Sequence, residues 1–401
     1  MSEERSGRAR KRVVIVGGGS AGISVAARLV KHRGLAVQVV DPSETHDYQP
    51  LWTLVGAGVV SRESARRRES DVMPRGVEWV RDAVTEFDPE RRAVVTRGGR
   101  RLEYDALVVA AGIQIDWGKI KGLEGSIGKN GICSNYSYET VNTTWEAIRT
   151  FKGGDAVFTQ PATPIKCGGA PQKIMYLAED AFRRSGVREK SRVHFYSGEA
   201  AIFKCEAYAK TLMQVIEKKG IEELCFKHSL KEVRADAREA VFDDLAANRE
   251  VVRRFDLLHV TPPMSAPDFI KKSPLAAASG WVEVDKQTCR HVRYPDVFAL
   301  GDCSSLPTSK TGAAVRKQAP TVAANLLDML EGRPMSGSYD GYTSCPLVTG
   351  YGKLILAEFD YDLKPKESFP FDQNRELWSM YMLKLHVLPR LYWHGMLKGR
   401  A

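Results

Sequence analysis

The chain has 401 residues, 43% of them hydrophobic, so it is long enough to bury the cores of two or three domains. Its net charge of +10 permits an anionic partner, but the basic residues lack the interleaved aromatic residues of a nucleic-acid groove. We therefore expect no nucleic acid and favour anionic small molecules or a membrane surface.

The seven cysteines are spread along the chain without a C-x-x-C pair or a Cys/His spacing that suits zinc. We predict no metal site, and the odd number of cysteines favours a reducing compartment. The first apolar run, VVIVGGGSAG, continues into a glycine turn, so we predict no export signal. No segment has the roughly 20 uninterrupted apolar residues of a membrane span.

A predicted strand at residues 12–16 is followed at once by a G-x-G-x-x-G pattern and by a helix from Ser20 to Lys31. Such glycines permit a tight turn, a close approach of the backbone to a pyrophosphate and close packing of the helix. A second strand ends at Asp41, where a carboxylate binds the ribose of an adenosine. The order of these elements favours a dinucleotide site over a plain βαβ unit. The glycines of the pattern are Gly17, Gly19 and Gly22.

Two later strands end in small-residue turns that are typical of the same kind of site. RLEYDALVVAAG ends at Gly112, and YPDVFALGDC reaches Asp302 before a helix at residues 312–330. A carboxylate at that strand end suits hydrogen bonds to a flavin dinucleotide, and a helix-capping turn is the alternative. We also expect a strand over residues 78–84 and an approach of Gln49 to a flavin. Together, GGGSAG, LVVAAG and VFALGDC resemble the FAD-binding half of flavoprotein reductases with two dinucleotide domains.

The stretch TQPATPIKCGGAPQKIMYLAE carries Cys167 just before a predicted helix. The Gly168 and Gly169 pair allows a tight turn, and Pro171 suits the first helical position. The helix dipole and Lys166 would both favour the thiolate of the cysteine, the form that attacks disulfides and flavins. For a cysteine without a partner, the alternative is a small buried hydrophobic residue at a turn.

Residues 120–262 lie where such reductases insert a second nucleotide domain, with predicted strands at residues 156–159 and 192–196. The second of these strands is followed by SGEAAIFKCEAYAK, which has one glycine and the bulky residues Ile202 and Phe203. A second G-x-G-x-x-G is therefore missing, and we predict a reductant other than NAD(P)H.

A partner for the first cysteine is Cys345, in the stretch DGYTSCPLVTGYGKLILAEF. We predict a Pro/Ser turn at this cysteine, ahead of two strands at residues 347–349 and 353–358. Without a C-x-x-C pair, dithiol chemistry requires two distant cysteines to meet in space, and we expect both to lie in loops.

Five segments closely resemble the sulfide:quinone oxidoreductase family shared by mitochondria and some bacteria. They are KCGGAPQKIMYLAE, VTPPM, GDCSSLPTSKTGAA, DGYTSCPLVTGYGKLILAEFDY and SFPFDQNRELWSMYMLK, and the likeness spans nearly the whole chain after residue 12. The resemblance implies an α/β fold with two Rossmann-like dinucleotide-binding domains, as in glutathione reductase, and a C-terminal amphipathic region that docks on a membrane. The division it implies is 1–119 and 266–335 for the FAD-binding domain, 120–265 for the second domain and 336–401 for the C-terminal region.

The same resemblance implies which residues carry the chemistry. The redox cysteines fall on Cys167 and Cys345, with FAD as cofactor, and we interpret the other cysteines, including Cys133, as structural. The residues expected to bind FAD, some by resemblance and some from the small-residue turns, are Gly17, Gly19, Ser20, Gly22, Asp41, Gln49, Val84, Gly112, Asp302 and Lys310.

By this resemblance, hydrosulfide attacks the bridge between the cysteines, leaving a persulfide on Cys345 and a thiolate on Cys167 that reacts with the flavin. A small acceptor removes the sulfur, and a membrane quinone collects two electrons. The sequence leaves the acceptor open among sulfite, glutathione, coenzyme A and sulfide itself.

Three alternatives are a type II NADH:quinone oxidoreductase, a flavocytochrome-type sulfide dehydrogenase and a catalytically silent flavoprotein that senses redox state. The missing second fingerprint disfavours the first, and the missing export signal disfavours the second. Sulfide-dependent reduction of quinone would separate the third from an enzyme.

Residues 376–400, ELWSMYMLKLHVLPRLYWHGMLKGR, mix aromatic, aliphatic and basic side chains, and we expect Pro389 to divide them into two short helices. Each is too short to span a membrane, so we predict that they lie in the lipid interface. A terminal helix docked on its own domain is the alternative. The prediction is a peripheral, monotopic protein on the cytoplasmic face of the inner membrane, with a homo-oligomer left open.

Overall fold

The structure is a computed structural model that describes residues 9–401. A five-stranded parallel sheet organises the first domain, and residues 13–16 at its centre are at most 3% exposed because both faces of the sheet are covered. Its strands, in spatial order, are Val297–Ala299, Ala106–Val109, Lys11–Val16, Leu35–Val40 and Glu78–Val80. Two helices pack on this sheet and on each other: Ser20–Leu29, hereafter the dinucleotide helix, and Gly312–Leu330.

A second five-stranded parallel sheet organises the second domain. Its strands, in spatial order, are Ile132–Cys133, Leu257–His259, Gly154–Gln160, Ser191–Ser197 and Glu223–Phe226. Its helices are Val141–Thr150, Ala170–Arg184 and Glu206–Lys219, of which Ala170–Arg184 is hereafter the cysteine helix. The two parallel sheets confirm the predicted pair of Rossmann-like domains, whereas the limits assigned to the domains stay a prediction.

Smaller antiparallel sheets and single-turn helices complete the two domains. The sheets pair Val84–Asp88 with Ala93–Thr96 and Arg101–Glu103, His228–Arg234 with Glu239–Asp244 and Arg249–Arg254, Thr45–Asp47 with Arg66–Arg68, and Gln114–Ile115 with Met264–Ser265. The short helices are Trp52–Val55, Glu69–Val72 and Asp268–Lys271.

A two-stranded hairpin, Thr343–Gly350 with Lys353–Phe359, packs against the cysteine helix. Cys345 pairs with Ala357 inside this hairpin, so the predicted Pro/Ser turn and loop position were wrong. Pro346 fits because a strand with only one neighbour leaves one edge unpaired, and a missing N–H costs nothing there.

The chain ends in one helical run, hereafter the C-terminal segment, from Trp378 to Lys398. Pro389 does not divide it into two helices, which corrects the prediction. Wider π-helical turns at Leu383–Val387 and Leu391–Gly395 flank the proline and accommodate the lost donor and the bulk of its ring. None of the helices in residues 9–401 has both the length and the apolar character needed to cross a membrane.

Two further boundaries differ from the sequence predictions. The strand expected over residues 78–84 ends at Val80, because Asp82 donates its N–H back to the Val80 carbonyl and turns the chain. Val84 therefore begins a strand in a different sheet. The dinucleotide helix ends at Leu29 and not at Lys31.

Candidate active site

Cys167 lies in the loop between the central strand of the second sheet and the cysteine helix. Its φ of +56° is in the left-handed region, which a residue with a Cβ adopts only when its surroundings hold it there. Part of that restraint is the hydrogen bond from the Cys167 N–H to the Lys310 carbonyl, 2.9 Å long. The loop therefore presents this cysteine in one fixed orientation ahead of a helix N-terminus, as predicted.

Cys345 approaches from the hairpin, and its Sγ lies 3.7 Å from the Sγ of Cys167. The approach depends on Gly169, because a Cβ at that position would lie 2.6 Å from the Cys345 sulfur. Two cysteines separated by 178 positions in the chain therefore meet within reach of a disulfide bond.

A lysine that the sequence analysis missed completes this pair. Lys173, in the first turn of the cysteine helix, is 2% exposed, and its Nζ donates to the Sγ of Cys167 at 3.1 Å. Burial is the largest single influence and lowers the pKa of Lys173, but the charges and hydrogen bonds of Cys167 and Cys345 together outweigh burial and raise it. A cation in a first helical turn opposes the helix dipole, and that conflict was the signal available in the sequence.

The two sulfurs are electrostatically unequal. The hydrogen bond from Cys345 and the charge of Lys173 hold the pKa of Cys167 well below its usual range. The bond to Cys167 and burial raise the pKa of Cys345 well above it. Cys167 is therefore the thiolate of the pair and Cys345 the thiol.

Lys166 does not have the role predicted for it. Its Nζ donates to the Tyr136 carbonyl at 3.0 Å and lies 4.8 Å from the ring centre of Trp52. Burial lowers the pKa of Lys166 to about 8. The cation beside the reactive sulfur is Lys173 and not Lys166, so the prediction named the wrong lysine. The backbone turns at Cys167, where φ is +56°, and the Lys166 side chain contacts Tyr136 instead of the Cys167 sulfur.

A third lysine comes from the C-terminal segment. Lys384 is 4% exposed and its Nζ donates to the Pro50 carbonyl at 3.1 Å. Burial, and then the charge of Lys173, lower the pKa of Lys384 to about 7, while its own charge helps to lower the pKa of Cys167. In the sequence this lysine stands among the basic residues of a helix predicted to lie in the lipid interface, whereas it lies inside the molecule.

The glycine turn has the form that a dinucleotide needs. Gly17 has a φ of +104°, and a Cβ there would lie 2.4 Å from the Ala110 carbonyl oxygen, while a Cβ on Gly22 would lie 1.8 Å from the Gly17 oxygen. Nothing lies within 4 Å of the Cβ position at Gly19, which leaves room for a phosphate. Asp41 accepts the N–H of Gly18 at 2.5 Å, so its carboxylate lies at the same turn.

Most of the predicted FAD residues lie at one edge of the first sheet, at the carboxyl ends of its parallel strands. They are Gly17, Gly19, Ser20, Gly22, Asp41, Gly112 and Asp302. Lys310 Nζ donates a hydrogen bond to the Asp302 backbone carbonyl at 2.5 Å, and both residues line one cavity. Gln49 begins an exposed turn, and Val84 begins a strand of a separate sheet. Neither residue therefore lies at the carboxyl end of a strand of the first sheet.

The residues of this edge fit a flavin dinucleotide. Glu69 Oε1, 2.9 Å from the Cβ position of Gly18, is buried without a hydrogen-bond partner in the protein, and so is Trp52 Nε1, whose ring centre lies 4.8 Å from Lys166 Nζ. Burial raises the pKa of Asp302. Glycines that leave space for phosphates, a carboxylate at the second strand end and unpaired donors and acceptors match the groups of FAD.

The corresponding turn of the second domain is filled. A Cβ on Gly198 would lie 2.3 Å from the Ala162 nitrogen, and Ile202 and Phe203 are at most 9% exposed. Phe203 packs against the ring of Phe359 from the hairpin, with centroids 5.7 Å apart. The place where a pyrophosphate would approach in a nucleotide-binding domain therefore contains side chains.

Burial raises the pKa of the other five cysteines. Burial raises the pKa of Cys133 and of Cys289 to about 12, and that of Cys225 and Cys303 to about 11. Such thiols are poor nucleophiles at neutral pH. Residues 9–401 contain no group of three or more potential metal ligands.

Comparison with known proteins gives consistent matches. A family model described as pyridine nucleotide-disulphide oxidoreductase matches residues 11–144. The mitochondrial sulfide:quinone oxidoreductase of Dictyostelium discoideum is 48% identical over 394 residues, covering 97% of this chain and 86% of that protein. The protein of the same name from Mus musculus is 47% identical over 389 residues, with 96% and 86% covered.

Among solved structures, the sulfide:quinone oxidoreductase from the hyperthermophilic bacterium Aquifex aeolicus has a TM-score of 0.81 to this chain. Their identity is 17%, and the match covers 97% of this chain and 92% of that one. At that identity the likeness shows a shared fold.

Proposed function

The chain belongs to the sulfide:quinone oxidoreductase family, and from that premise we propose that Cys167 and Cys345 are its redox pair. It is an FAD-dependent oxidoreductase that oxidises sulfide and reduces quinone. The observation that carries the assignment of the pair is the 3.7 Å separation of the two sulfurs beside a buried lysine.

The electrostatic difference between the sulfurs sets the direction of attack. In the oxidised protein the two sulfurs form a disulfide, and hydrosulfide attacks the Sγ of Cys345. A bond forms between the incoming sulfur and Cys345 while the disulfide bond breaks, and Cys167 leaves as a thiolate. Lys173, 3.1 Å from that sulfur, stabilises the leaving thiolate, and a thiol of lower pKa leaves faster.

FAD, when bound, supplies a two-electron acceptor that reoxidises the cysteine pair and passes the electrons to quinone. The glycine turn, Asp41, Asp302 and Lys310 are the residues that would hold it. The Cys167 loop is joined to the FAD-binding residues through the Lys310 carbonyl, so the thiolate and the cofactor site share one rigid connection.

A small anionic nucleophile then takes the sulfane sulfur from the Cys345 persulfide. Cys345 returns to its thiol form. Lys173 and Lys384 make this part of the site electropositive, which favours an anion. Sulfite, hydrosulfide and the thiolates of glutathione and coenzyme A all satisfy that requirement.

Three exposed side chains of the C-terminal segment support a membrane position. Trp378, Val387 and Leu391 are 66%, 51% and 36% exposed, whereas Tyr392 and Trp393 are buried. We propose that the three exposed side chains enter the lipid interface and that the protein is peripheral, on the cytoplasmic face of the inner membrane. On this proposal the segment docks on its own domain through its buried side chains and on lipid through its exposed ones.

The redox assignment is tested by Cys167→Ser in an anaerobic titration of the FAD-loaded protein with sulfide. We expect no bleaching of the flavin absorbance, with the FAD content unchanged, because the leaving thiolate is gone. Cys225→Ser, at a partly exposed cysteine of the second domain, is the matched control and should bleach normally. Normal bleaching in Cys167→Ser would remove the cysteine pair from the mechanism.

The membrane assignment is tested by Trp378→Ser in sedimentation with vesicles that contain anionic lipid. We expect the bound fraction to fall severalfold, because an interfacial aromatic anchor is lost. Met213→Ser, at a residue 42% exposed on a helix of the second domain, should bind like the unaltered protein. Equal binding of both variants would contradict docking through this face.

A further inference from the structure

A row of four polar side chains, hereafter the polar chain, connects the C-terminal segment to the dinucleotide helix. Glu69 Oε2 lies 3.0 Å from His46 Nδ1, His46 Nε2 lies 2.5 Å from the Tyr392 hydroxyl, and that hydroxyl lies 2.7 Å from Ser20 Oγ. Glu69, His46 and Tyr392 are each at most 4% exposed. Polar groups this deeply buried stabilise one arrangement when each finds its partner.

Both ends of the polar chain reach the glycine turn. Ser20 is the first residue of the dinucleotide helix, directly after the open position at Gly19. At the other end, Glu69 Oε1 lies 2.9 Å from the Cβ position of Gly18, which in turn donates its N–H to Asp41. Glu69 Oε1 is buried and has no partner in the protein, so it is an acceptor available to a donor from a ligand.

Tyr392 is held firmly in place by packing on both of its sides. Its ring lies 4.4 Å from the ring of Tyr48 and 4.9 Å from that of Trp393, centroid to centroid. Beyond it, Lys31 Nζ donates to the Gly399 carbonyl at 2.9 Å, and Leu397 is fully buried. The end of the C-terminal segment is therefore fixed on the dinucleotide helix, and the tyrosine hydroxyl has one position.

We propose that Tyr392 is a positioning residue of the FAD site, supplied by the C-terminal segment. Its hydroxyl fixes the side chain of Ser20 at the start of the dinucleotide helix and, through His46, orients Glu69 so that the free carboxylate oxygen accepts from a hydroxyl group of FAD. Because the same hydroxyl anchors the C-terminal segment, FAD binding and docking of this segment stabilise each other by the same factor.

The test is the affinity of the apoprotein for FAD, measured by the change in flavin fluorescence without any sulfide. Tyr392→Phe keeps the ring and removes two buried hydrogen bonds, and we expect FAD to bind about tenfold more weakly. The matched control is Tyr208→Phe, at a fully buried tyrosine whose hydroxyl bonds the Glu358 carbonyl far from the glycine turn. An affinity within about twofold of the control in Tyr392→Phe would overturn the proposal.

Two further measurements keep the outcome clear if Tyr392→Phe folds poorly. Ser20→Ala alters no residue of the C-terminal segment, and we expect it to weaken FAD binding and, combined with Tyr392→Phe, to add little further loss. Additive losses would mean that the two groups act independently.

We also expect FAD to slow tryptic cleavage at Arg390 and Lys398 severalfold, and equal cleavage with and without FAD would contradict the coupling.

Discussion

Each of the two domains has a strand that leads through a turn or loop into a helix, one at the proposed FAD site and one at the cysteine pair. The two differ in what lies at the start of the helix. Lys11–Val16 leads into the dinucleotide helix through residues 17–19, and the Cβ position at Gly19 is open. Gly154–Gln160 leads into the cysteine helix through residues 161–169, and the space at Gly169 is filled by the sulfur of Cys345.

The difference shows that a helix N-terminus is a general site for negative charge. A short glycine turn leaves it open to a pyrophosphate, whereas a longer loop can place a thiolate there. In the second domain a lysine has been added beside the thiolate, and the neighbouring nucleotide turn has been filled by Ile202 and Phe203. If Cys167 and Cys345 are the redox pair, as proposed, the second domain keeps the fold of a nucleotide-binding domain but uses it to hold sulfur.

The largest expected effect comes from closing the first helix start. Gly17→Ala places a methyl group against the Ala110 carbonyl at a φ of +104°, so we expect the affinity for FAD to fall by more than about 100-fold. The FAD content of the purified protein measures the loss. Gly34→Ala, with an open Cβ position, should retain its FAD. Full FAD content in Gly17→Ala would contradict the role of the turn.

A smaller effect is expected at the second helix start. Gly169→Ala would force a methyl group to within 2.6 Å of the Cys345 sulfur, so we expect flavin reduction by sulfide to slow by about 100-fold. The neighbouring Gly168→Ala, where nothing lies within 4 Å, is the control and should react at the normal rate. If both variants react alike, the close approach of the sulfurs is not required.

Lys173→Met tests the electrostatic part of the comparison and has the smallest expected effect, about tenfold at neutral pH. After the hydrogen bond from Cys345, it is the charge of this lysine that lowers the pKa of Cys167 and so favours the thiolate. Without it the pKa rises, the rate of flavin reduction falls at neutral pH, and it recovers as the pH increases through the new value. Rates compared with the unaltered protein in the same buffers cancel the ionisation of sulfide. An unchanged pH profile would contradict this role.

The first domain could be predicted from the sequence because its signals are local. Gly17, Gly22 and Asp41 lie within a short stretch, and each has a backbone requirement that few other residues meet. The pairing of Cys167 with Cys345 depended on resemblance, because no local pattern links positions 178 residues apart.

The errors in the prediction have a common physical origin. Lys166 was predicted to favour the thiolate because it is adjacent to Cys167 in sequence, and Lys173 was missed, whereas contacts at a helix start depend on the direction of each side chain. Cys345 was assigned to a turn because of Pro346, but an edge position removes the usual cost of proline in a strand. The polar chain joins residues up to 372 positions apart and could not be found from spacing.

The helix that ends the chain carries a charged group on its inner side and an indole on its outer side. The charge of Lys384 lowers the pKa of Cys167, and Trp378 is exposed at the start of the same helical run, nine positions before the exposed Val387. A detergent that binds the exposed side of the C-terminal segment and shifts this segment would also move the ammonium group of Lys384. Rate constants measured on solubilised protein would then describe a Cys167 thiol with a different pKa from the one that operates on lipid.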